Sequence, residues 1–304
     1  MKFGLAFIAV MATVVPAFAA DMPVVLKATG SAPISTNEIV DSNNQIILQA
    51  VGTNLSYAEH SKYDVLLGGG PGFVPQGGFL DGEKGWTSGM GLKLSFMNDR
   101  LFQNLYFSAE GSHTGGHTHY KGYLQENTGV PTTPYSGSDS AKFNDFSARF
   151  GKGFAINPSW MVTPFIEYGY HHWSRGVNDG ETYEHQYVGG GGLIQVVPMS
   201  GLVWSTSAMI GSTLSPQIDI AATVNAPGTN GATLGTGMTW KVATGLDYAI
   251  TPNWHVDAEV NYMEFKYGAS GTLAGNIYEP SSTSKAATVK LGVGYSWGAG
   301  NSAW

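Results

Sequence analysis

From Asn44 to Trp297 the chain repeatedly alternates apolar and polar residues with a period of two, the mark of a β-strand with one apolar face. One run is especially regular: Trp254, Val256, Ala258, Val260 and Tyr262 alternate with His255, Asp257, Glu259, Asn261 and Met263. Near the end, Val289, Leu291, Val293, Tyr295 and Trp297 alternate with Thr288, Lys290, Gly292, Gly294 and Ser296. The pattern predicts ten strands, at 45–60, 86–97, 105–120, 141–155, 160–174, 185–197, 202–214, 237–250, 254–267 and 285–297. Two cassettes, Ile156-Asn157-Pro158-Ser159-Trp160 and Ile250-Thr251-Pro252-Asn253-Trp254, separate neighbouring runs and read as tight turns. Proline pre-sets φ, asparagine tolerates corner geometry, and a tryptophan beside the corner suits a water–lipid boundary.

The connections take turns in length. Those around 98–103, 157–159, 198–201 and 251–253 are short, and those around 61–85, 121–140, 175–184, 215–236 and 268–284 are longer. An even strand number with this order predicts an all-β, transmembrane, antiparallel up-and-down barrel. Its short turns are expected in the periplasm and its long loops outside the cell. Closure leaves no unpaired edge in lipid.

Composition narrows the choice further. Only 12% of the 304 residues are charged and 42% are hydrophobic, less hydrophobic than a helical membrane protein, where each span needs about 20 nearly continuous apolar residues. There is no cysteine, which excludes disulfides and thiolate metal sites, and a net charge of −7 without a basic run argues against nucleic acid as partner. Lys2, the apolar run Leu5–Val15 and the small-x-small Ala17-Phe18-Ala19 predict a secretory signal peptide over 1–19. The expected organisation is then a periplasmic, poorly ordered lead-in over 20–44, rich in Ser, Thr, Asn and Pro, and a barrel over 45–304.

The start Ala20-Asp21-Met22-Pro23-Val24, the stretch Asn144-Asp145-Phe146 through Arg149-Phe150-Gly151, the strand Thr163-Pro164-Phe165-Ile166-Glu167-Tyr168-Gly169-Tyr170 and the aromatic-ended last strand resemble the surface-antigen-type outer-membrane β-barrel proteins of Gram-negative bacteria. The resemblance covers about residues 86–304 and implies architecture far more than activity. Outer-membrane lipid is the expected surrounding. The barrel-assembly machinery is the expected partner of the C-terminal strand, with Trp297 and Trp304 as alternative assembly signals. An extracellular ligand stays unspecified, and no cofactor or metal is expected.

Counting back from the turns places Lys93 opposite Glu110 and Arg149 opposite Glu167, all on the face away from lipid. Asp145, Lys241, Asp247, Asp257, Glu259 and Lys290 point inward by the same parity, while Trp160, Trp204, Trp254 and Trp297 form an interfacial belt. Lys152 faces lipid by parity and is expected to snorkel to the boundary. These charges read as salt bridges filling a narrow lumen, since eight strands leave an interior just filled and porins use about 16. The alternative is a constriction selecting ions in a narrow channel.

Histidines 60, 113, 117, 119, 171, 172 and 185 gather on the outer halves of strands or at loop bases. His117 and His119 share a face that parity points outward, so the expectation is an interfacial band of polar aromatics in place of a closed zinc site. The third reading is enzymatic, a rim hydrolase or an omptin-like protease. No Asp-x-His occurs in the chain, and adjacent Ser112 and His113 project to opposite faces, so no catalytic residue is assigned. The glycine runs 68–70 and 189–192 lack a following Lys-Ser/Thr and are expected to ease strand curvature or loop flexibility.

Overall fold

A computed structural model describes residues 37–62, 64–66, 73–98, 103–125, 131–177, 180–220, 231–271 and 279–297. The expected signal peptide, the lead-in up to residue 36 and Trp304 lie outside these. A short helix, α1 (Asn37–Ser42), precedes ten long strands: β1 (Gln45–His60), β2 (Phe79–Asn98), β3 (Leu105–Gln125), β4 (Pro131–Lys152), β5 (Trp160–Arg175), β6 (Glu181–Met199), β7 (Leu202–Ile220), β8 (Met238–Ala249), β9 (Trp254–Tyr267) and β10 (Ser281–Ser296). Each strand pairs antiparallel with the next, and β10 returns to β1 from Gln45↔Ser296 to His60↔Ser281, which closes the barrel. After Gly153, Phe154–Asn157 continues the ladder against β5. Among the described residues no helix is long and apolar enough to cross a membrane.

Turn chemistry explains the tight corners. The side chain of Asn157 accepts the Ser159 amide at 2.9 Å, and Thr251 Oγ1 accepts the Trp254 amide at 3.0 Å. Gly201, at φ +79°, supplies the left-handed corner of the two-residue link from β6 to β7.

Large apolar side chains are exposed on the outside and polar ones buried inside. Leu48, Trp86, Met90, Leu92, Ile166, Ile210, Leu291 and Val293 all face out, whereas Glu83, Glu167, Arg175 and Lys290 are buried. This inversion of a soluble protein marks the barrel as membrane-spanning, with Trp160, Trp204, Trp254 and Trp297 exposed at the tight-turn end. Lys152 is exposed, its Nζ 5.5 Å from the Phe154 ring.

The strands run further than alternation predicts. β2 begins at Phe79, β6 at Glu181, and β7 continues to Ile220. Much of 121–140 and half of 175–184, expected as loops, is paired strand, which reaches Gln125 and Arg175 on one side and resumes at Pro131 and Glu181 on the other. A lipid crossing takes about 9 to 11 residues, whereas β3 and β4 have 21 and 22. Beyond the apolar belt the outward face turns polar and the inward one takes buried aromatics such as Tyr57, Tyr120, Trp173 and Tyr183, so the apolar-outward period ends while backbone pairing persists.

The lead-in also differs from expectation. Residues 37–44 are ordered and enter the barrel mouth, where Ile39 is fully buried among Met97, Tyr106, Met161, Phe165 and Val203. Asn43 donates to Gln195 at 2.7 Å, and Asn44 both donates to the Met97 carbonyl and accepts its amide, at 2.8 and 3.0 Å. Glu38 accepts the Gly201 amide at 2.8 Å. Burial raises the Asp41 carboxyl above its ordinary range, against the opposing pull of His255.

Candidate functional site

The lumen is built in layers, each made by inward positions at one level of the strands. Lowest, Asp247 accepts from Gln45 at 2.8 Å and contacts His255 Nδ1 at 2.6 Å, tying β8 and β9 to the start of β1. Asp257 accepts from Gln49 at 3.4 Å.

Above lies the charged belt. The strand registers put Lys93 opposite Glu110 and Arg149 opposite Glu167. The second couple is an ion pair of 2.7 Å, and Glu167 also takes Lys241 of β8 and the Tyr187 hydroxyl at 3.0 Å. The first couple is not bonded as the register alone implies. Lys290, from β10, binds both Glu110 and Glu259, the latter at 2.9 Å, while Lys93 lies 3.8 Å from Glu259. Lys241 and Lys290 reach across the narrow interior, so the belt ties together strands far apart in sequence. Glycines make room for it. Gly169 leaves the space filled by the Tyr187 ring, Gly189 the space filled by the Met209 side chain and Gly191 the space filled by the Phe165 ring, so two glycines of the 189–192 run serve packing.

Next comes a row across four strands, Ser112↔Asp145↔His171↔His185. His171 Nδ1 is 2.5 Å from Asp145, and His185 Nδ1 is 2.6 Å from the Tyr267 hydroxyl. Both histidines are buried against Phe265 at centroid distances of 4.8 and 4.6 Å, inside the barrel and away from the interfacial band. His113, His117 and His119 are exposed on the outer wall, as parity indicates. Among the described residues no group of three or more His, Asp or Glu is arranged to hold a metal ion.

Arg175 caps the lumen at the other end. Its guanidinium binds Glu181 at 2.5 Å, Glu59 at 3.2 Å and Glu83 at 3.6 Å, and packs over the rings of Tyr57, Trp173 and Tyr183. Tyr183 donates to Glu279 at 2.7 Å. Burial, then the neighbouring carboxylates Glu59 and Glu181, push the Glu279 carboxyl well up. Sequence reasoning missed this cap by ending strands at 174 and starting them at 86 and 185. The period-two run Glu181, Tyr183, His185, Tyr187 is the signal that extends β6 to it.

Three voids of about 50, 30 and 100 Å³ are stacked between α1 and this cap. Lys93, Arg149 and Glu259 line both the first and second, and Glu110, Lys241 and Lys290 both the second and third. The charged belt therefore lies where the three voids adjoin.

No protein-family profile and no curated protein matches the sequence. Solved structures of outer-membrane proteins match at low identity. The outer-membrane protease OmpT of Escherichia coli matches at 10% identity over 84% of this chain and 98% of its own, with a TM-score of 0.46. The β domain of the Bordetella autotransporter BrkA matches at 12% over 84% and 100%, TM-score 0.39, and Neisserial surface protein A at 15% over 83% and 97%, TM-score 0.28.

Proposed function

We propose that the protein is an outer-membrane barrel with a structural or surface-interaction role, its lumen closed by paired charges. The observation that carries this reading is closure at three levels: α1 in one mouth, the belt of Lys93, Glu110, Arg149, Glu167, Lys241, Glu259 and Lys290 in the middle, and the Arg175 cap at the other. Export by the signal peptide, insertion by the barrel-assembly machinery through β10 and surface exposure of the strand overhangs complete the proposal. Refolded protein in planar bilayers is expected to give no steady current, and large stable single-channel steps would overturn the closed lumen.

A narrow channel for ions or small solutes is the second reading, favoured by the three voids sharing their lining residues along one axis. No hydrolase or protease role is proposed. In the row Ser112↔Asp145↔His171 the carboxylate stands between serine and imidazole, the reverse of the order in which imidazole takes the serine proton. Ester or peptide hydrolysis lost on Ser112→Ala would restore that reading.

A further inference from the structure

The outer wall of β2–β4 carries a charge asymmetry that the lumen does not explain. Every acidic residue of these strands, Asp81, Glu83, Glu110, Asp139 and Asp145, lies on the inward side, and the outward positions carry Lys84, Lys121, Lys142, His117 and His119, all exposed. Lys84 stands opposite His119, and His117 lies between Trp86 and Ser140. Outward acids of the upper barrel sit on other strands, as Glu184 of β6, Asp219 of β7 and Glu264 of β9.

The height of this patch follows from strand geometry. Phe96, Phe107 and Phe150 form one cross-strand row at the foot of the belt, and Trp86, His117 and Ser140 form another, ten residues further along each strand. At about 3.4 Å per residue and a tilt of about 40°, the rows differ in height by about 26 Å, against an apolar band of about 25 Å. Lys84, Lys121, His117 and His119 thus stand at the headgroup level of the long-strand side, in or above the row of Trp86 and above exposed Met90 and Leu92, while Lys142, eight residues from Phe150, lies about 21 Å above the foot row, and His113 and Asn144 share the Met90 row. Cations above an apolar wall match an amphiphile with anionic oxygens above acyl chains.

We propose that this wall is a docking surface for a lipid bearing phosphate monoesters in its headgroup, with acyl chains against Trp86 and Met90 and phosphates between Lys84, Lys121, Lys142, His117 and His119. The groups around the two imidazoles are Lys84 and Trp86 on β2, Lys121 on β3, and Ser136, Ser138, Ser140 and Lys142 on β4, with His119 Nε2 3.0 Å from Ser136 Oγ. No carboxylate faces them from these strands.

The test measures binding of bisphosphorylated lipid A and of its fully dephosphorylated form to refolded full-length protein in neutral detergent, by native mass spectrometry. The parent is expected to prefer the phosphorylated form at least tenfold. Lys84→Gln/Lys121→Gln/Lys142→Gln should abolish that preference while the barrel still shows heat-modifiable migration, and Glu184→Gln should not. Equal binding of both lipids by the parent, or an undiminished preference in the lysine variant, would overturn the proposal. So would pairing of two copies that the lysine variant and a Glu184→Gln/Asp219→Asn/Glu264→Gln variant prevent alike, because the patch would then serve the acidic wall of a second copy.

Discussion

Glu167 of β5 receives Arg149 of β4 at 2.7 Å with none of its own side chain exposed, and a second cation, Lys241, reaches the same carboxylate from β8. The pair is one arm of a junction joining strands far apart in the chain. Removing the shared anion strands two cations, whereas removing Arg149 leaves Glu167 still neutralised by Lys241. Glu167→Leu is expected to lower stability by about 3 to 5 kcal/mol, the loss that follows when a buried pair is broken, and Arg149→Met by distinctly less. Urea unfolding midpoints of refolded protein decide this, and equal losses would refute the junction.

Glu110 offers a sharper contrast, because its ladder neighbour and its ion partner are different residues. Double-mutant cycles should give coupling of roughly 0.5 to 3 kcal/mol between Glu110 and Lys290, and much less between Glu110 and Lys93. Stronger coupling to Lys93 would mean that the cross-lumen bridge of Lys290 does not persist in solution.

The mouth should depend on α1. Ile39→Asp puts a charge into an apolar pocket, so the segment is expected to leave the lumen and become sensitive to protease near 37–44 while the barrel stays folded. If protease still spares this segment, the docking of α1 does not rest on Ile39.

Facing on β9 can be tested one residue apart. Val260 is outward, and Val260→Arg should cost about 2 to 4 kcal/mol near the bilayer midplane. Asn261 borders the luminal voids, so Asn261→Arg is expected to cost less. The comparison uses unfolding in lipid vesicles, and a reversed order would invert the assigned faces.

Stability should also carry a pH signature from the cap. The Glu279 carboxyl is raised above its ordinary value of 4.5, so the folded state holds a proton that the unfolded chain releases. Folding stability therefore falls as pH rises from about 4.5 until Glu279 itself ionises in the folded barrel. Glu279→Gln keeps an acceptor for the Tyr183 hydroxyl and removes the titration. It should flatten this part of the profile and raise the midpoint at alkaline pH. A profile unchanged by the substitution would place the titration elsewhere.

Much of this barrel was decided locally. Alternation assigns the face of each residue, and tight turns pin the register of a hairpin, so Arg149 opposite Glu167 and Lys93 opposite Glu110 follow from sequence counting. Only the closed barrel decided which charges meet, because Lys290 and Glu110 lie on strands brought within reach by the β10–β1 seam and by a lumen narrow enough for side chains to cross. Helix α1 has six residues, too few to show a helical period, and its burial depends on a mouth that exists once all ten strands have closed. The Arg175 cap was hidden for a related reason. Above the lipid belt the outward face turns polar and aromatic side chains such as Trp173, Tyr183 and Tyr267 fill the inward one, so the apolar-outward alternation that reveals a membrane strand ends while backbone pairing carries the strand on.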